Sequence, residues 1–175
     1  MRDPWVMKHP YENKFIMAYT ARASIHNDPY QCGVIGMAES NDLFEWKSIQ
    51  PLFGGLFSQL EVPQIFKVKN KWYCLFCNHP EDWSNEFKRI YNGPNKRGTH
   101  YLIADKFEGP WNLAPGPYFT TSSEIELYAG RVIEKDSKFF FMAFLHDDHN
   151  GNFIGEISNP IPISFDKNGL MSLEL

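Results

Sequence analysis

Residues 61–79 read EVPQIFKVKNKWYCLFCNH, an apolar run, a polar step at Lys69-Asn70, and an aromatic run that returns. Apolar and aromatic runs joined by so tight a polar step predict a β-hairpin. The same arrangement occurs twice more. Residues 2–22, RDPWVMKHPYENKFIMAYTAR, turn at Glu12-Asn13, and residues 128–148, YAGRVIEKDSKFFFMAFLHDD, turn at Asp136-Ser137. The unit recurs about every 60 residues, a period that belongs to repeat folds.

Working outward from each hairpin, a variable loop leads to a third predicted strand that begins at Gly33, Gly98 or Gly151. GVIGMAESNDLFEW (33–46) and GTHYLIADKFEGPW (98–111) align without a gap, so Trp46 and Trp111 stand at the same repeat position and begin short fourth strands. Four antiparallel strands per unit make a propeller blade. The expected fold is all-β: one domain holding three four-stranded blades, at about 1–58, 59–125 and 126–175, a partial β-propeller. No stretch has the sustained 3.6-residue apolar spacing of a long helix, and Asn41–Phe44 is at best a single turn. The longest loop, residues 79–97, is rich in Pro, Asn and charge. Loops of that sort tend to carry function. Closed propellers have about four to eight blades, so three leave open blade edges. Either the chain is a piece of a longer one, or copies associate as a homo-oligomer to cover those edges.

Composition narrows the partners. The 16% aromatic content suits a β-rich fold, and the net charge of −4 provides no basic field for nucleic acid. A hydroxyl-rich ligand fits better. No run of about 18 apolar residues is present and MRDPWVMKHP lacks a signal-peptide pattern, so the expectation is a soluble, cytoplasmic chain with no membrane partner. Cys74 and Cys77 stand three apart on one strand and therefore face opposite sides, which argues for core positions rather than a disulfide or a shared metal.

The innermost strand of each propeller blade lines the central channel, so the openings Arg2-Asp3-Pro4, Glu61-Val62-Pro63 and Tyr128-Ala129-Gly130-Arg131 should converge. Asp3 and Glu61 fall at nearly the same repeat position. Paired carboxylates across a pocket suit glycoside cleavage, in which one acid protonates the leaving oxygen and the other stabilises or attacks the cationic sugar centre. Glu61, flanked by Leu60, Val62 and Pro63, reads as the acid; Asp3, beside Arg2, reads as the ionised partner. A blander reading makes Asp3 a strand cap and Glu61 a solvated edge residue.

RDP, then EVP about sixty residues later, then YAGR one blade on, resembles the signature of glycoside hydrolase family 32, the invertase and levanase group, within the clan shared with levansucrases. The resemblance spans essentially the whole chain. It implies a five-bladed propeller, fructoside substrates, and no metal or organic cofactor. It further implies that Asp3 stabilises the transition state, that Arg2 contacts sugar hydroxyls, that Glu61 is the general acid/base, and that Tyr128 and Arg131 line the pocket. The family's nucleophile stands in a WMNDPNG-like motif on a blade before RDP, and the chain resembles the blades that follow it. The expectation is a fructosidase-like domain with a partial site and little hydrolysis alone; the alternatives are a carbohydrate-binding or assembly module, or a homo-oligomer that completes a propeller.

Other residues carry two readings each. Trp83, with Tyr91 and His79 on the long loop, either stacks on a sugar ring or packs that loop down. His146-Asp147-Asp148-His149 resembles a metal cluster, but Asn150-Gly151 behind it makes a hairpin turn the better account, and no metal is expected.

Overall fold

In the computed structural model, which describes residues 1–24, 27–148 and 150–175, the strands gather into three antiparallel sheets. Blade 1 comprises β1 (Arg2–Lys8), β2 (Phe15–Arg22), β3 (Gly33–Ser40) and β4 (Lys47–Gly54), in that spatial order. Blade 2 repeats it with β5 (Glu61–Val68), β6 (Lys71–Asn78), β7 (Gly98–Ala104) and β8 (Asn112–Leu113). In blade 3, β9 (Leu127–Lys135) pairs with β10 (Lys138–Asp147), whose other edge is shared in succession by β11 (Phe153–Ile157) and β12 (Ile161–Phe165); β13 (Met171–Leu173) is outermost. The break between β11 and β12 falls at Asn159-Pro160, where proline cannot donate to a ladder. Ser158 bridges it, its N–H donating to the Ala143 carbonyl and its hydroxyl accepting from the Ala143 N–H.

Blade 2 shows why residues 61–79 are so continuously apolar. Alternate residues of β6 face opposite ways: Trp72, Cys74 and Phe76 join a core with Ile16, Ala18 and Met37 of blade 1, while Tyr73 and Leu75 join Val132, Phe141 and Phe119 toward blade 3. Each large side chain so buried stabilises the fold by about 1.5–3 kcal/mol. Cys74 and Cys77 are fully buried and form no disulfide. The connector from β4 to β5 packs backbone to backbone on Gly33, whose N–H donates to the Phe57 carbonyl; a Cβ there would lie 2.6 Å from Gln59 N.

Three details differ from the sequence reading. The strand β4 after Trp46 runs eight residues rather than being short, because it continues past a register slip opposite Ile35 and Met37. In blade 3 the third strand begins at Phe153, since Asp148 ties the Gly151 turn with its own carboxylate. The long loop holds a helix, α1 (Asn85–Ile90), capped by the Ser84 hydroxyl; six residues are too few to produce a readable periodicity. No helix among the described residues is long and apolar enough to cross a membrane.

Candidate active site

Each inner strand opens with the same irregularity. Pairing slips between Arg2 (opposite Thr20) and Trp5 in β1, between Glu61 (opposite Cys77) and Gln64 in β5, and between Tyr128 (opposite Phe144) and Arg131 in β9. One residue inside each slip is left-handed: Asp3 at φ 55°, Val62 at 51°, Ala129 at 50°. Such bulges re-aim the side chains beside them, and a β-branched residue like Val62 adopts this φ only under strain. The register makes Arg2, Glu61 and Tyr128 structural equivalents, with Asp3, Val62 and Ala129 one place on. The two acids are therefore offset by one position in the repeat.

Glu61 stands at the centre of what these bulges bring together. Arg2 Nη2 donates to its Oε1 and the Tyr128 hydroxyl donates to its Oε2. Arg2 Nε lies 3.4 Å from Asp3 Oδ2, which also accepts from the Thr20 hydroxyl at 2.9 Å and the Val62 N–H at 3.3 Å. One guanidinium thus holds both carboxylates. The sequence had given Arg2 to Asp3 and an apolar setting to Glu61. Instead Leu60 is fully buried in the core, and Glu61, one residue on, turns toward a cation and a phenol. Burial first, and then the bond to Glu61, pushes the Tyr128 hydroxyl far above the ordinary phenol range, so it remains a donor. The His79 ring packs edge-on against Tyr128, centroids 4.9 Å apart.

Arg131 serves the bulge from behind. It donates to the Val62 carbonyl and lies over the Trp5 ring at 5.7 Å, and burial pulls its guanidinium below the usual arginine value. Trp83 is not on the channel. It is 4% exposed, donates to the Tyr118 hydroxyl at 3.0 Å and packs on Phe87 and Tyr91, so with Tyr91 it packs the loop down. Two residues that sequence reading missed stand beside the site: Gln59 accepts from Arg2 Nη2 and donates to Asp82 of the long loop. The tripeptide Asn27-Asp28-Pro29, which the sequence reading passed over, shares its letters with the nucleophile motif but sits in the β2–β3 loop, where Asp28 caps a short turn through Tyr30 N–H.

Near the opening of blade 3, Glu126, His146 and Asp147 bring ligand atoms within 4.8 Å of one another. Arg97 already stands among them, 2.9 Å from Glu126, 3.1 Å from His146 Nε2 and 3.6 Å from Asp147, so the group is an arginine-centred ion network. His149, the fourth member of the sequence cluster, lies outside the described residues. A cleft of about 510 Å³, lined by Lys14, Asp42 and Trp46, is at the far end of blade 1.

No protein-family model matches the chain, and no curated protein matches it in sequence. Solved structures do match in shape. An inulosucrase from Halalkalicoccus jeotgali bound to kestose superposes over 98% of this chain and 49% of its own, with TM-score 0.79 and 18% identity. Bacillus subtilis levansucrase superposes over 99% and 49%, with TM-score 0.72 and 12% identity. A Bombyx mori family 32 β-fructofuranosidase in complex with sucrose superposes over 99% and 36%, with TM-score 0.67 and 17% identity. The chain spans half the length of these proteins or less. What it folds into is three consecutive blades of the β-propeller on which levansucrases and family 32 β-fructofuranosidases are built.

Proposed function

We propose that these blades carry the acid/base half of a fructoside-processing site. Glu61 is its general acid/base and Asp3 the carboxylate that stabilises the cationic sugar centre. Arg2 and Tyr128 orient Glu61 and meet sugar hydroxyls, and Arg131 supports the bulge behind them. The observation that carries this reading is the convergence of Arg2, Asp3, Glu61 and Tyr128 from three successive inner-strand bulges. Two carboxylates tied through one guanidinium suit cleavage of a glycosidic bond, which needs a proton for the leaving oxygen and negative charge beside the anomeric carbon. Proteins with the same fold are bound to kestose and to sucrose, which supports a saccharide of that class as partner.

No WMNDPNG-like sequence opens β1, β5 or β9, and the attacking carboxylate is assigned to none of the convergent residues. The 175 residues alone therefore bind a fructoside and turn it over slowly. The missing carboxylate would come from a further blade, supplied by a longer chain or by a second copy. A saccharide-binding module is the second reading, favoured by the engagement of both Glu61 oxygens in the resting site.

Sucrose, inulin, levan and nitrophenyl glycosides as substrates, with calorimetric titration of kestose, test the proposal on the wild type and Glu61→Gln. Both proteins should bind kestose, with slight turnover in the wild type and none detectable in the variant. Robust turnover lost on Glu61→Gln would overturn the low-activity reading; failure to bind any of these sugars would overturn the site.

A further inference from the structure

Gln59 lies between two groups of opposite polarity. Arg2 Nη2 reaches its Oε1, and Asp82 Oδ1 lies 3.3 Å from its Nε2. A guanidinium only donates hydrogen bonds and an ionised carboxylate only accepts them. The amide is left with one orientation, NH₂ toward Asp82 and carbonyl toward Arg2. Both ends of this arrangement are anchored. Asp82, 8% exposed, also accepts from the Ser58 hydroxyl at Oδ1, and its main-chain carbonyl accepts from the Ser58 N–H at 2.8 Å. The Gln59 main-chain carbonyl accepts from Asn78 Nδ2 at 2.6 Å, and Asn78 Oδ1 in turn accepts from the Tyr118 hydroxyl at 3.1 Å. Burying a carboxylate in a loop is costly unless it is well bonded, and the bonds of this one lead to the candidate site.

We propose that Asp82, acting through Gln59, positions the Arg2 guanidinium over Glu61. Asp82 and Gln59 are positioning residues, and the inference rests on the reading of Arg2 and Glu61 given above. The long loop contributes to the site the Asp82 carboxylate, beside the His79 ring that packs on Tyr128. Hydrogen bonds run without a break from Ser58 through Asp82, Gln59, Arg2 and Glu61 to Tyr128, from the loop of blade 2 across to blade 3.

Nuclear magnetic resonance on the ¹⁵N-labelled chain reads this arrangement without turnover. In the wild type the Arg2 Nη protons should be resolved, because rotation of the held guanidinium is slowed. Asp82→Asn keeps the shape but lets Gln59 turn over. The Arg2 signals should collapse, and kestose affinity should fall about tenfold, the order expected for a bond to a charged group. Gln59→Glu should do the same by setting two carboxylates side by side. The double variant Gln59→Glu/Asp82→Asn exchanges the polarity of the pair at constant charge, so the introduced carboxylate accepts from Arg2 and from the introduced amide; both readouts should return. A merely structural role would not be rescued by that exchange. Arg2 signals unchanged in Asp82→Asn, or a double variant no better than the singles, would overturn the proposal. If the Arg2 signals follow the expected pattern while kestose fails to bind the wild type, the positioning stands and the fructoside reading falls.

Discussion

At the residue scale, the site was legible where its members repeat. Arg2, Glu61 and Tyr128 open equivalent strands, so aligning three segments was enough to place them together, and Asp3 followed as the neighbour of Arg2. Gln59 and Asp82 left no such trace, since an amide and a carboxylate joined through a loop of unrepeated length have no spacing to recognise. Nor could the sequence tell that Arg2 would hold both acids, because that depends on a left-handed φ at Asp3. Gly33 was read correctly as a strand start, but its physical reason is closeness to the connector that leads into the next blade. Gly33→Ala should cost about 1–3 kcal/mol in urea unfolding, because the added Cβ meets main-chain atoms at Ser58 and Gln59 that cannot rotate away. No measurable loss would mean that the connector moves aside more easily than its packing implies.

At the scale of elements, hairpins were readable because tight turns impose composition. The β9–β10 turn places Asp136 at φ 52° and Ser137 at φ 59°, the pair of left-handed residues of a type I′ turn. Aspartate tolerates that conformation, whereas serine gains nothing from it. Ser137→Gly should raise stability by about 0.5–1 kcal/mol, read as a higher urea midpoint with an unchanged slope. The long loop was harder. Its helix and its buried Trp83 follow from contacts with Phe57 and Tyr118 far away in sequence, which no local pattern announces. The thiols on β6 behave as core groups: burial pushes Cys77 up to about 11 and Cys74 further still, in keeping with their place on a strand covered on both faces.

At the scale of the whole molecule, burial makes folding sensitive to acid at one identifiable point. His100 is 1% exposed, stacks on Tyr118 at 4.8 Å, donates from Nε2 to the Ala114 carbonyl and accepts the Phe119 N–H at Nδ1. Desolvation lowers its pKa from 6.5 to about 4. Between those values the unfolded chain takes up a proton that the folded chain refuses, so stability is complete above pH 6.5 and falls as the pH drops toward 4, by about 3 kcal/mol in all. Urea midpoints of the wild type and His100→Gln, compared at pH 7 and pH 4.5, should show the variant losing less; equal losses would remove His100 as the cause. The blade count was legible; the exposed apolar pairs of blade 3, Ile133 at 45% exposure opposite Phe140 and Ile157 at 72% opposite Phe144, were not read from the sequence. The feature with the widest reach is the kink that opens each inner strand. One backbone shape there accepts Arg-Asp, Glu-Val and Tyr-Ala, so it acts as a mount whose fittings are exchangeable. Ala129 occupies the slot that Asp3 fills on blade 1, in a conformation aspartate adopts more readily than alanine. An acid can thus be placed on blade 3 by one side-chain change that the backbone already accommodates, and the architecture is left alone.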